Sequence, residues 1–240
     1  MKMIRIAVLS IVAVGLVCSA QAQFGLKLPK VGPLGGGGES PAAAAPAASI
    51  DDLQGQLEKS ILEVGLARKL LFEAQRDFGT ALGIKEQVDQ MLSAAGVLQG
   101  EAIQPIESQD AVADSFKTGA EVTKLLADAA ANAEPMNEEQ KVAYSKGKEN
   151  FMGAALAEGG QIAVLVKLAE EIKSNAKQIK NPLQVGKVTA MAVPATKLAT
   201  LIPGDLKEIK STWTVFKKVG ADNNIEVDDI NVDQFMTGAQ

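Results

Sequence analysis

From Leu53 to Ala95, apolar or small residues recur at alternating steps of four and three: Leu53, Leu57, Ser60, Val64, Ala67, Leu71, Ala74, Phe78, Ala81, Lys85, Val88, Leu92 and Ala95. Only Ser60 and Lys85 break the pattern. A mean step of 3.5 keeps these side chains on one side of a helix, so Ser49–Leu98 predicts one long amphipathic helix with a seam for partner helices. Ser49 and Asp52 form the capping box that starts it, and Asp51 and Asp52 complement its positive end. Gly79 and Gly83 each cost a helix about 1 kcal/mol against alanine. Either they let a neighbour approach closely or the helix bends or breaks there; the expectation is a kinked but continuous helix.

The same periodicity continues downstream. Gly96–Ile106 reads as a connection, with Gly100 and Pro105 as breakers. A second helix starts at Ser108 or Asp110 and runs to about Ala133, its apolar face carried by Val112, Phe116, Ala120, Val122, Leu125, Leu126 and Ala129. Glu134-Pro135 ends it. A third helix is capped by Asn137 and Gln140, runs to about Lys180 and gathers Lys173, Lys177 and Lys180 at its negative end, with a pause expected at Gly159-Gly160. Its Gly153–Leu168 stretch is the most apolar part of the chain after the leader, and reads as a buried central helix with membrane insertion as the alternative. Pro182–Ile202 gives a mixed signal: Asn181 and Pro182 favour a helix start, whereas Val193-Pro194 argues for a kink or an end. Asp205 is read as the start of the last helix, with Glu208 in its capping box and Gly220 at its C′ position.

At the N-terminus, Lys2 and Arg5 precede the apolar run Ile6–Val17, and Ala20-Gln21-Ala22 supplies an A-x-A cleavage site. Residues 1–22 therefore read as a secretory signal peptide with Gln23 the first mature residue. Residues 23–48 contain Gly35–Gly38 and Pro41–Pro46, a composition that cannot bury enough apolar surface to order itself, and read as a flexible linker. The bundle spans 49–220, and 221–240 form an acidic tail.

Composition narrows the chemistry. Aromatic residues make up only 4% of the chain, which with abundant alanine suits closely packed helices. Net charge is −5, or −7 once Lys2 and Arg5 leave with the leader, a poor balance for binding nucleic acid. The chain has no histidine and one cysteine, Cys18, inside the leader. Imidazole- and thiol-based catalysis, Cys/His zinc sites and disulfides are thereby excluded from the mature chain. Asp222, Asn224, Glu226 and Asp228 resemble the spacing of a calcium loop, but Val227 stands where the turn needs glycine, so no metal is expected. The carboxylate pairs Asp51-Asp52, Glu138-Glu139, Glu170-Glu171 and Asp228-Asp229 are explained by capping and solvation rather than acid–base work.

One surface candidate remains. Trp213 and Phe216 beside Lys217 and Lys218 form the kind of aromatic face with a lysine border that lies on a membrane or in a partner's groove; the competing reading packs the rings inward while the lysines snorkel. The sequence thus predicts an all-α antiparallel bundle of about five helices around one long helix. It predicts a periplasmic or secreted, non-catalytic protein without cofactor, which binds a protein partner or a second copy as a scaffold or adaptor. A membrane-active helical protein and a carrier of a small apolar ligand are the alternatives.

Overall fold

The computed structural model describes residues 49–178, 182–225 and 227. The signal peptide, the whole linker, Ile179, Lys180, the Asn181 cap, Glu226 and the tail from 228 lie outside them, as do the side chains of Asp205 and Glu208. The fold is all-α. Five helices, α1 (Ile50–Ala81), α2 (Lys85–Ala94), α3 (Gln109–Ala130), α4 (Glu138–Gln178) and α5 (Pro182–Asp222), are accompanied by one two-stranded ribbon, β1 (Leu98–Gln99) and β2 (Ala102–Ile103).

The seam is where the spacing puts it. Every seam position from Leu53 to Ala81 is buried, as are Val88 and Leu92 on α2. The Ser49–Asp52 capping box forms in both directions, and Asn137 and Gln140 exchange the corresponding bonds at the start of α4, at 2.9 and 3.0 Å.

The long helix is not continuous, and each of its two glycines has its own role. Gly83 has φ +72° and sits at the C′ position, where Ile84 N–H donates to Gly79 O at 2.8 Å and Gly83 N–H to Thr80 O at 3.2 Å. This is a Schellman stop, and it ends α1. Gly79 then lets α2 fold back: a Cβ there would stand 2.8 Å from Val88 Cγ2. The fold-back is held by Arg76, whose guanidinium meets Asp89 at 2.6 Å and the Glu101 carbonyl at 2.9 Å, while Lys85 reaches Asp89 at 2.6 Å. Burial pushes the Asp89 carboxyl up, but the hydrogen bonds from Arg76 and Lys85 outweigh it and the pKa is lowered. Arg76 thereby ties α1, α2 and the ribbon together. The ribbon turns at Gly100-Glu101 with Gly100 at φ +60°, glycine in the first central position of a two-residue hairpin loop.

Because α2 and the ribbon carry the chain back, α3 runs in the same direction as α1: Arg68 bonds Ser115, and seven residues on Gln75 bonds Gly119 and Thr123. The antiparallel expectation holds for α1 with α4, where Asp77 meets Lys146 at 3.0 Å and Glu63 meets Gln161. It holds also for α4 with α5, where Phe151 stacks on Trp213 at 5.4 Å and Tyr144 donates to the Phe216 carbonyl. The expected pause at Gly159-Gly160 is absent and α4 is uninterrupted.

Of the kink or end expected near Pro194 the end is absent, as is the separate helix from Asp205: α5 is one helix with Pro194 and Pro203 inside it. Each proline removes one backbone donor and leaves the turn before it one bond short. Burial of Val188, Ala195, Leu198, Ile202 and Leu206 along a single stripe holds the helix together through both. Gly220 is not its C′ residue. That place belongs to Asn224 (φ 57°), with Ile225 N–H donating to Gly220 O at 2.9 Å. Gly220 instead makes room for Tyr144, whose Oη would lie 2.6 Å from a Cβ there.

Tyr144 is the chain's only tyrosine and is fully buried. Burial pushes its phenol up to about 12, against a lowering hydrogen bond from the backbone of Gly220. Since a tyrosine in the unfolded chain ionises from pH 10, the native state holds its proton longer than the unfolded state does. The associated stability is intact below pH 10 and drains away as pH rises towards 12, by up to about 3 kcal/mol. Phenolate absorbance of the native protein is expected to titrate well above pH 10, and Tyr144→Phe is expected to flatten this part of the stability–pH curve. An ordinary phenolate titration would contradict the burial.

Candidate functional surfaces

The sequence-derived candidate turns inward. Trp213 and Phe216 are 3% and 1% exposed. Phe216 stacks on Phe78 at 3.7 Å between centroids, and Trp213 stacks on Phe151. With Leu206, Ile209 and Val219 they make the core face of α5, so no aromatic face is presented outward there. Lys217 is half-buried at the border of this face and Lys218 is exposed, the snorkelling arrangement. The pattern in the sequence is amphipathic either way; which molecule covers the apolar side is set by the rest of the fold.

The chemically densest place in the described structure is a closed cluster around Arg68. This residue is fully buried on α1, donating from Nε to Ser115 Oγ at 3.2 Å and from Nη2 to Ser115 O at 2.6 Å. Its Nη1 lies 3.5 Å from the carboxylate of Glu158 on α4, also fully buried. The guanidinium lies over the rings of Phe72 and Phe116 at 5.3 and 4.8 Å. Gly119 is its socket: a Cβ there would stand 2.0 Å from Nη2. Gln75 extends the polar layer to Gly119 O and Thr123 Oγ1, both at 3.0 Å. With Arg68 and Glu158 shut off from solvent, the cluster fixes the register of α1 against α3 and α4. Sequence spacing places Arg68 beside the seam but gives no sign that it is buried.

The adjacent carboxylates occupy the places that capping and solvation assign them. Asp52 belongs to the Ser49 capping box, Glu138 pairs with Lys141 at 2.8 Å and Glu171 with Lys167 at 4.0 Å; Asp228-Asp229 lie outside the described residues. Among the described residues no three potential ligands cluster to hold a metal ion.

Among the described residues, two concave places stand out. A cleft of about 310 Å³ lies between Gly96–Val97, Gln104–Ile106 and the start of α3, with Asp114 and Thr118 at its wall; half of its lining residues are exposed, and Ser115 and Ile106 form a buried floor. The second is a shallow, wide-open groove of about 610 Å³ along one face of α5, its described lining all from that helix: Thr189, Ala192, Val193, Thr196, Lys197, Thr200 and Leu201. Val193 is 64% exposed. Residues 182–204 carry two lysines and no carboxylate. The helix is long and apolar enough to cross a membrane, yet only 33% of its most apolar window is buried; α4 passes the same test with 47% of its window buried. The groove was hidden in the sequence by Pro194, which reads as a break. The signal that could have found it is the run without carboxylates. No family model, characterised protein or solved structure matches the chain.

Proposed function

We propose that the chain is an exported, non-catalytic helical protein that acts by protein–protein binding, as a periplasmic or cell-surface scaffold or adaptor, and that it docks its partner on the outer face of α5. The observation that carries this reading is the groove around Val193: an apolar lining on a well-formed helix whose apolar content exceeds what the bundle covers. Exposed apolar surface of this kind marks interaction sites. Alanine, threonine and valine along it let another helix approach closely. The leader-like N-terminus supports export.

The test is site-specific photo-crosslinking in the source cell. With a benzophenone amino acid at position 193, the chain is expected to give adducts of defined mass; the same residue at Glu121, exposed on α3, is expected to give none. Equal labelling at both positions, or none at 193, would remove the reading. A second reading, membrane association, is favoured by one observation, the length and hydropathy of α4 and α5. Flotation with liposomes separates the two: a chain that floats without its partner belongs to the lipid reading.

A further inference from the structure

The cleft of about 310 Å³ beside the start of α3 lies in the most one-sided charge environment of the described structure. Between Lys85 and Lys117 the chain holds no lysine or arginine, but six carboxylates: Glu86, Asp89, Glu101, Glu107, Asp110 and Asp114. That run builds α2, the ribbon and the start of α3, and every lining residue of the cleft except Thr118 belongs to it. The cations nearest in sequence or space are already paired. Arg76 takes Asp89 and Glu101, at 2.6 and 3.2 Å, and Lys85 shares Asp89. Arg68 lies behind Ser115, fully buried and paired with Glu158. Lys117 reaches Glu121 at 3.9 Å. Glu107, Asp110 and Asp114 are exposed and have no ion-pair partner among the described residues. The potential in the cleft is therefore negative.

Hydrogen-bond accounting gives the same sign. The donors of the lining are committed elsewhere: Gly96 N–H to Ser93 O at 3.0 Å, Val97 N–H to Leu92 O at 2.9 Å, Gln104 N–H to Val97 O at 2.8 Å and Ala111 N–H to Ser108 Oγ at 3.2 Å. The hydroxyls of Ser115 and Thr118 donate to Val112 O and Asp114 O, and Gln104 Nε2 donates to Ala102 O. Pro105 has no N–H to give. What remains for a ligand is mostly acceptor: the Asp114 carboxylate, Gln104 Oε1 and the Thr118 hydroxyl oxygen. Val97, Pro105 and Ile106 add apolar surface beside them.

We infer that this cleft binds a primary ammonium or a guanidinium on a short apolar stem, with Asp114 as its counter-charge. Such a group brings donors only, which is what the lining lacks. It is the chemistry of a lysine or arginine side chain on a partner and equally of a small free amine. Asp114 is the only carboxylate in the lining, too few for a metal ion. The volume is at the lower end for ligand pockets, room for one such group and its stem. One exposed carboxylate holds a cation weakly, so the complex is reversible and weakened by salt. The site is separate from the α5 face and does not depend on it.

The test is a nitrogen-15 NMR titration of the full chain with two probes, n-butylamine and the peptide acetyl-Ala-Ala-Lys-Ala-Ala-amide. Both are expected to shift the amide signals of Gly96, Val97 and Ile106 at millimolar concentration, and the peptide acetylated on its lysine is expected to shift none. Asp114→Asn is expected to weaken binding about fivefold with helical circular dichroism unchanged, since this side chain is exposed. Ala111→Leu keeps every charge and fills the mouth, and is expected to weaken binding as much. Absence of these shifts with both probes, equal binding of the acetylated peptide, or parent-like binding by Asp114→Asn overturns the assignment. So does parent-like binding by Ala111→Leu, which would leave only attraction to an acidic surface. Tighter binding of the peptide than of n-butylamine assigns the site to a partner's side chain, and the reverse order assigns it to a free amine.

Discussion

Arg68→Met is expected to lower the free energy of unfolding by about 3–5 kcal/mol, read as a lower urea midpoint at unchanged slope. The guanidinium supplies charge to Glu158 and two hydrogen bonds to Ser115, in a place that water does not reach. Methionine fills much of the same volume but takes the guanidinium away from the buried Glu158 carboxylate, and removing one partner of a buried ion pair is the costly outcome. The double variant Arg68→Met/Glu158→Met is expected to recover most of the loss, because replacing both charges with apolar groups of similar size removes the desolvation penalty along with the attraction. If the single variant were as stable as the parent, the ion pair would not be what holds α1, α3 and α4 in register. If the double variant were as unstable as the single, the loss would belong to the hydrogen bonds with Ser115 rather than to the stranded carboxylate.

Phe78→Ala is expected to cost about 3–5 kcal/mol. The ring is fully buried, lies 3.7 Å from Phe216 in a near-parallel stack, and meets Tyr144 and Phe151 at 5.6 and 6.2 Å. It is the point at which α1, α4 and α5 converge. The backbone of α4 comes up to its edge at Gly147, where a Cβ would stand 2.9 Å from the ring. Removing it opens a cavity walled by three aromatic residues from two other helices. A dry apolar cavity of this kind takes up benzene, so saturating benzene is expected to raise the midpoint of Phe78→Ala and leave that of the parent unchanged. The one tryptophan, Trp213, is stacked on Phe151 beside the cavity, and its fluorescence gives the unfolding curve directly. A small loss with no benzene effect would show that the helices close over the gap.

These two sites explain how a chain so poor in aromatic residues keeps a defined core. Phe78, Tyr144, Phe151, Trp213 and Phe216 gather in one layer, and the Arg68 cluster with Phe72 and Phe116 forms the next. Aromatic area is concentrated where three helices cross, while alanine, glycine and valine set close helix contact elsewhere. The α5 groove lies outside these layers, so it can be altered without touching the core.

Much of this architecture was legible in the residue order. The 3.5 spacing from Leu53 to Leu92 fixed which side of the helix is buried, because periodicity is a local property that survives any arrangement of partners. Ser49, Ser108 and Asn137 marked helix starts for the same reason: a cap is settled within four residues. The all-α class followed from both. The number of helices also agrees, but only because two differences offset each other. The first predicted helix divides at Gly83, and the last two predicted helices are one.

Both differences have the same origin. Whether glycine or proline stops a helix depends on what the neighbouring turns pack against. At Gly83 the gain comes from folding α2 back onto Gly79 and Arg76; at Pro194 it comes from the unbroken stripe of Val188, Ala195 and Leu198. Those energies come from contacts between residues far apart in the chain. Tertiary structure likewise decided that Trp213 and Phe216 face Phe151 and Phe78 rather than a membrane, that Arg68 lies inside, and that α5 keeps a bare apolar surface. An amphipathic pattern states that one side must be covered, and only the placement of the other helices states by what.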